Sequence, residues 1–300
     1  MPFPNAQRTS SPFLVATLAA MACHAAAAGD FPRGRHCPEP WFAGASGLVM
    51  TRSLPQGEPA ASWPGGVELF AGRWFGEQQQ HGVEAIYWGV YGITSSPASP
   101  VADTILSRND MVNDAEINWL VAPGGRPEFN GREDRRFTLV GLAGFRFFQL
   151  QDVLSLEDAP GAAETIDAST NVNNNLFGGQ LGGKLDWHLT PSVRLSAVPK
   201  IMLAGNSVTD TTTVTAGGET TSFHTTDGVF SWLGSVDASI AWDVTTRWSL
   251  WIGYRLVGVN EIAQASPSWA LSPDDPSASP PDASGSTIVH GGFAGFQGRF

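Results

Sequence analysis

Residues 174–189 read NNLFGGQLGGKLDWHL. From Phe177 onward, alternate positions are Phe, Gly, Leu, Gly, Leu, Trp and Leu, while the intervening set is Gly, Gln, Gly, Lys, Asp and His. An extended chain sends successive side chains to opposite faces. One face of this segment is therefore apolar, and the other carries Gln180, Lys184, Asp186 and His188.

The same period of two returns downstream. VRLSAVPKIML sets Val193, Leu195, Ala197, Ile201 and Leu203 against Arg194, Ser196 and Lys200. FSWLGSVDASIAWD sets Phe230, Trp232, Val236, Ala238, Ile240 and Trp242 against Ser231, Ser235, Asp237, Ser239 and Asp243. RWSLWIGYRL sets Trp248, Leu250, Ile252, Tyr254 and Leu256 against Arg247, Ser249, Gly253 and Arg255. In the first half, strands are expected near 41–50, 66–75, 82–93, 115–122 and 136–150, the last with Arg146 opposite Phe145 and Phe147. A final strand is expected over 287–300, for about ten in all.

Counted back from the end, the connections alternate in length. Long stretches at 260–286, 207–228, 151–173 and 94–114 separate tight turns at HLTPSV, DVTTR and GEQQQHG; only 123–135 is long out of turn. The long stretches carry Asp110, Asp114, Glu157, Asp158, Glu164, Asp210, Glu219, Asp227, Asp274 and Asp275. All are read as loop acids.

A soluble sandwich, or a lipocalin-like barrel with one wet face, also alternates. Three features favour lipid instead. The strong strands run well past the usual five or six residues, as a tilted membrane strand must. Aromatics sit toward the ends of the apolar faces, where interfacial girdles belong: Phe177, Trp187, Phe230, Trp242, Trp248, Tyr254 and the closing Phe300. Loops alternate long and short as in outer-membrane barrels. Backbone groups in hydrocarbon must all be paired, which forces closure. The expected fold is all-β: a closed antiparallel up-and-down transmembrane barrel of about ten strands, range roughly eight to twelve.

Composition agrees. Charged residues make up 15% of the 300, and the formal net charge of −11 comes with no basic stripe, which argues against a nucleic-acid partner. Arg8, the apolar FLVATLAAMAC and the small-residue HAAAAGD read as an export signal cleaved near Ala28. A lipoprotein using Cys23 is disfavoured by Ala20, and Cys37 alone makes no disulfide framework. The organisation expected is a signal peptide over 1–28, an N-terminal periplasmic segment over 29–40 and the barrel over 41–300. Its location would be the outer membrane of a Gram-negative-type envelope.

Three stretches also carry a family resemblance: DAEINW followed by RFTLVGLAGFRFFQLQDVLSL, NVNNNLFGGQLGGKLDW, and WSLWIGYRLVGVNEIAQA. Together they resemble the outer-membrane β-barrel porin family 7 of planctomycetes and Legionella. The matching positions are Gly144, Phe145 and Arg146, then Asn174, Asn175, Phe177, Gly178, Gln180 and Gly182, then Gly253 and Tyr254. The resemblance covers residues 41–300 and is looser before residue 80. It implies a porin and brings no catalytic residues.

By parity, Arg146, Gln180, Lys184, Asp186, Arg194, Lys200, Asp237 and Arg255 should line the interior. Two readings stand. They could line a narrow polar path and set its ion preference, or pair with one another and plug the lumen, since small barrels are filled by side chains. Arg194 with Asp186, and Asp243 with Arg247, are expected pairs across the tight turns. The function expected is a passive channel for small solutes or ions, the alternative being a closed structural or surface-interaction barrel. An outer-rim hydrolase using His224, Asp227 and His290 is the remote third, since no nucleophile or metal motif accompanies them. Expected partners are outer-membrane lipid and, through the strand ending in Phe300, the barrel-assembly machinery. No cofactor or metal site is expected; SPDDPSASPPD lacks calcium-loop spacing.

Overall fold

The structure is a computed structural model that describes residues 40–54, 60–99, 104–123, 125, 136–158, 166–216, 218–265 and 282–300. The expected signal peptide lies outside them. Ten strands follow in chain order. They are β1 (Trp41–Arg52), β2 (Gly65–Phe75), β3 (His81–Ser95), β4 (Thr104–Val121) and β5 (Phe137–Asp158). Then come β6 (Ile166–Thr190), β7 (Val193–Ala216), β8 (Glu219–Asp243), β9 (Trp248–Ile262) and β10 (Gly285–Arg299). Each pairs antiparallel with its chain neighbour, and β10 pairs with β1, which closes the barrel. The seam is fastened at its end by two backbone hydrogen bonds, Phe300 N to Trp41 O at 2.9 Å and Trp41 N to Phe300 O at 3.1 Å. We call this end the base and the opposite end the mouth.

An apolar band rings the outside. Along the β5–β6 register, Phe137 lies opposite Trp187, Leu139 opposite Leu185, Ala143 opposite Leu181 and Phe147 opposite Phe177. Phe177 and Leu181 are each 63% exposed and Phe145 64%, a state no soluble surface favours. Ten residues of rise at about 3.3 Å, tilted by about 40°, give a band about 25 Å tall. Trp187, Trp242, Trp248 and Phe300 edge it at the base, and Phe177, Phe230 and Tyr254 toward the mouth; all are exposed. Stacked rings tie neighbouring strands, as in Phe137 with Trp187 (centroids 5.9 Å) and Phe145 with Phe177 (6.3 Å).

Above the band the polarity of the wall reverses. Gln149, Gln151, Asn171, Asn173 and Asn175 face outward and form an amide ladder, whereas Phe148, Leu150, Leu154 and Leu156 are buried inside. That reversal corrects the loop assignments. Most of 94–114, 151–173 and 207–228 is barrel wall: β4 begins at Thr104, β5 runs to Asp158, β6 starts at Ile166, and β7 and β8 meet at residues 216–219. The Thr-rich TDTTTVTA suits a strand because branched β-carbons favour extended backbone. Consequently Asp110 and Asp114 are not loop acids. They sit on β4 with inward, buried side chains. Glu157, Asp158, Asp210, Glu219 and Asp227 also lie on strands, while Glu164, Asp274 and Asp275 fall outside the described residues.

On the interior face, paired strands approach closely at some glycines. Gly178 shows the consequence: a β-carbon there would stand 1.9 Å from the carbonyl oxygen of Leu203. Only hydrogen fits.

Candidate functional site

The interior has three levels. At the base a cavity of about 260 Å³ is lined by Glu68, Glu84, Lys184, Asp186, Arg194, Lys200, Asp237 and Arg255, with Phe42, Phe70 and Trp251 among its apolar walls. Strand parity places each of these side chains. On β6, for example, Leu185 and Trp187 face out, so Lys184 and Asp186 face in.

At mid-height the charges lock together. Arg146 Nε donates to Asp114 Oδ2 at 2.7 Å, and Arg146 Nη1 to Ser235 Oγ at 3.1 Å. Lys200 Nζ reaches both Glu116 oxygens at 2.8 Å, and Gln180 Nε2 donates to the same carboxylate at 2.8 Å. Arg255 is held by Asp237 through two bonds of 2.8 Å and by Glu68. Its guanidinium also lies over the rings of Trp88 and Phe293, at 5.2 and 5.5 Å from their centroids, an arrangement that attracts a cation to the ring face.

The mouth half is packed with apolar side chains. Met50, Trp88, Ile93, Phe148, Leu150, Leu176, Met202 and Leu233 belong to one buried cluster. Beyond it, Arg52 bridges Asp110 and Asp152 at 3.3 Å each, and Arg108 bonds Asp152 as well. Over this cluster folds a strap. Glu261 bulges from the β9–β10 ladder with φ of 55°, a left-handed turn that steers the chain inward. Its carbonyl accepts from Ser231 Oγ (2.6 Å) and Asn206 Nδ2 (3.2 Å). Ala263 then exchanges two bonds with the Asn174 amide (2.8 and 2.9 Å), and Ala265 is held by Arg108 and Asp152.

Of the residues that parity assigns inward, Arg146, Gln180 and Lys200 meet at mid-height, joined through Glu116. Asp237 and Arg255 pair directly, and Lys184 stands 3.6 Å from Asp186. The expected pair Arg194–Asp186 is not formed. Arg194 bonds both oxygens of Asp243 at 2.8 Å, because that carboxylate lies diagonally opposite on the same face of β8, while Asp186 takes the hydroxyl of Ser196 directly across. Asp243 is also bonded by Arg299 and Ser249. Sequence reading misses Glu68, Glu84 and Glu116. Parity counted from Ile117 and Trp119 is the signal that turns Glu116 inward.

The rim histidines are not brought together. Following the ladder from Trp232 through Asn260 to Ser286, His224 lies eight residues toward the mouth and His290 four toward the base, roughly 40 Å apart along the wall. His224 meets Thr211 and His290 meets Tyr254. Asp227 bonds the amide of Gly228. No group of three or more His, Cys, Asp or Glu able to hold a metal occurs among the described residues.

No protein-family model matches the chain, so the resemblance to β-barrel porin family 7 rests on its short motifs alone. No curated protein matches either. Among solved structures, the chain is similar to the outer membrane protease OmpT from Escherichia coli, at 8% identity over 87% of this chain and 94% of that one, with a TM-score of 0.54. It is also similar to a major outer membrane protein from Thermus thermophilus, at 11% identity over 87% of this chain and 98% of that one, with a TM-score of 0.38. At such identities the likeness is one of fold. That fold is the closed, ten-stranded antiparallel barrel of outer-membrane proteins.

Proposed function

We propose that this chain resides in an outer membrane as a barrel closed to flow, acting as a structural and surface-interaction protein through its tall mouth-side wall. The apolar band with aromatic edges supports the location, as does the export signal read over 1–28. With the base on the periplasmic side, β5 to β8 rise from the membrane as a Thr- and Asn-rich wall.

The observation that carries the closed reading is the stack of fillings above the base cavity. The Arg146–Asp114 and Lys200–Glu116 pairs, the Trp88–Phe148 cluster and the strap over Asp152 follow one another along the axis. Barrels near eight strands are filled by side chains, and aqueous pores come with many more. Purified, folded protein in a planar bilayer is expected to give no current steps. Regular steps that vanish on denaturation would overturn this reading and restore the porin-like channel for small solutes or ions, which the family resemblance and the deep base cavity favour.

A further inference from the structure

We propose that the base cavity is a binding site for a small organic cation, an amine or quaternary ammonium group, anchored by Glu84 in a cavity whose walls include the rings of Phe70 and Trp251. The inference does not depend on whether the barrel conducts.

The charge pattern of the cavity supplies the first argument. Its bases are already engaged: Lys200 with Glu116, Arg255 with Asp237 and Glu68, Arg194 and Arg299 both with Asp243, and Lys184 with Asp186. Glu84 is the carboxylate left over. It is half-buried on β3, lines the cavity, and its charged neighbours Lys200, Glu116, Lys184 and Glu68 act on it only through space. A carboxylate taken partly out of water without a paired partner is costly. A cation entering from the base offsets that cost.

The walls supply the second argument. Phe42, Phe70 and Trp251 form a connected aromatic group, with centroids 6.5 Å apart for Phe42 and Phe70 and 5.5 Å for Phe70 and Trp251. Ring faces beside a carboxylate attract cations and not anions. The protein itself uses this chemistry one level higher, where Arg255 sits over Trp88 and Phe293. The repulsion from Lys200 is reduced because both Glu116 oxygens hold its ammonium. Lys184 keeps a side chain 40% exposed to water, which screens its charge, and lies 3.6 Å from Asp186.

The test is calorimetric titration of the folded barrel in detergent with choline chloride, and separately with inorganic phosphate. Saturable choline binding is expected, weakened about tenfold or more by Glu84→Gln and by Trp251→Leu. Glu219→Gln, on the mouth-side end of β8, should leave it unchanged. Repeating the titration in nanodiscs with and without phosphatidylethanolamine separates the sources: a response suppressed only by that lipid means its headgroup occupies the cavity, and an equal response means a soluble amine. No saturable heat with choline, undiminished binding by a folded Glu84→Gln protein, or saturation by phosphate alone would each overturn the proposal.

Discussion

Arg146 Nε lies 2.7 Å from Asp114 Oδ2 at mid-height of the barrel, and neither side chain is more than 1% exposed. A buried ion pair is a poor source of net stability, but removing one partner strands the other. Arg146→Met should therefore lower unfolding stability by about 3–5 kcal/mol, while the double change Arg146→Met with Asp114→Leu recovers most of the loss. Urea unfolding of the refolded protein in detergent measures both. Equal losses in the single and double variants would mean that the pair does not carry the packing of this level.

How far these charges are legible in the sequence follows from the solvent on each side of the wall. Within the apolar band of β6 to β9 the outward face is so apolar that parity alone separates Lys184, Lys200, Asp237 and Arg255 from Leu181, Ile201, Val236 and Tyr254. The count of ten strands and the closed antiparallel order follow from the same contrast. At Gln149 the contrast reverses, because above the band the outside is polar and the inside is greasy. A rule of apolar-outward strands stops there, and under it Asp110 and Asp114 look like loop acids. Arg194 goes to an unexpected carboxylate for a different reason. Nearness across a turn points to Asp186, but Asp186 on β6 and Asp243 on β8 both stand diagonally from Arg194, and Asp186 is taken by Ser196 directly across.

Asn174 and the strap make a second prediction. Its side chain both accepts from Ala263 N and donates to Ala263 O, while Asn206 donates to Asn174 itself. Asn174→Ala leaves the Ala263 backbone groups without these partners in a buried place. A loss of about 1–3 kcal/mol in local stability is expected. Hydrogen exchange should quicken at residues 263–265 and stay slow at Leu150 and Leu176. Exchange that quickens uniformly would show a global rather than a strap-confined effect.

Gly178 and Gly179 stand side by side on β6 and make opposite demands. The first faces the interior with the Leu203 carbonyl against it, whereas a β-carbon on the second meets nothing within 4 Å. Gly178→Ala should block formation of the compact barrel, seen as loss of the heat-sensitive fast-migrating form on gels. Gly179→Ala should fold normally. The comparison isolates the close approach of β6 and β7 from any general effect of replacing glycine in a strand.

The depth of the apolar band sets the last prediction. Leu181 is 63% exposed and central in the band, between the Trp187 and Phe177 levels of the same strand. Gln149 lies on the adjacent strand, one outward position above Phe147, where the amide ladder begins. If hydrocarbon covers the first and water or headgroups the second, the same charge must cost different amounts. Leu181→Arg is expected to destabilise by about 2–4 kcal/mol in lipid bilayers and Gln149→Arg by about 0–1 kcal/mol. Refolding into vesicles of a single phospholipid, with denaturant titration, measures the difference. In detergent-free buffer, by contrast, a soluble barrel would gain solubility from Leu181→Arg and show no depth dependence, because an exposed leucine replaced by arginine removes an apolar patch at little cost.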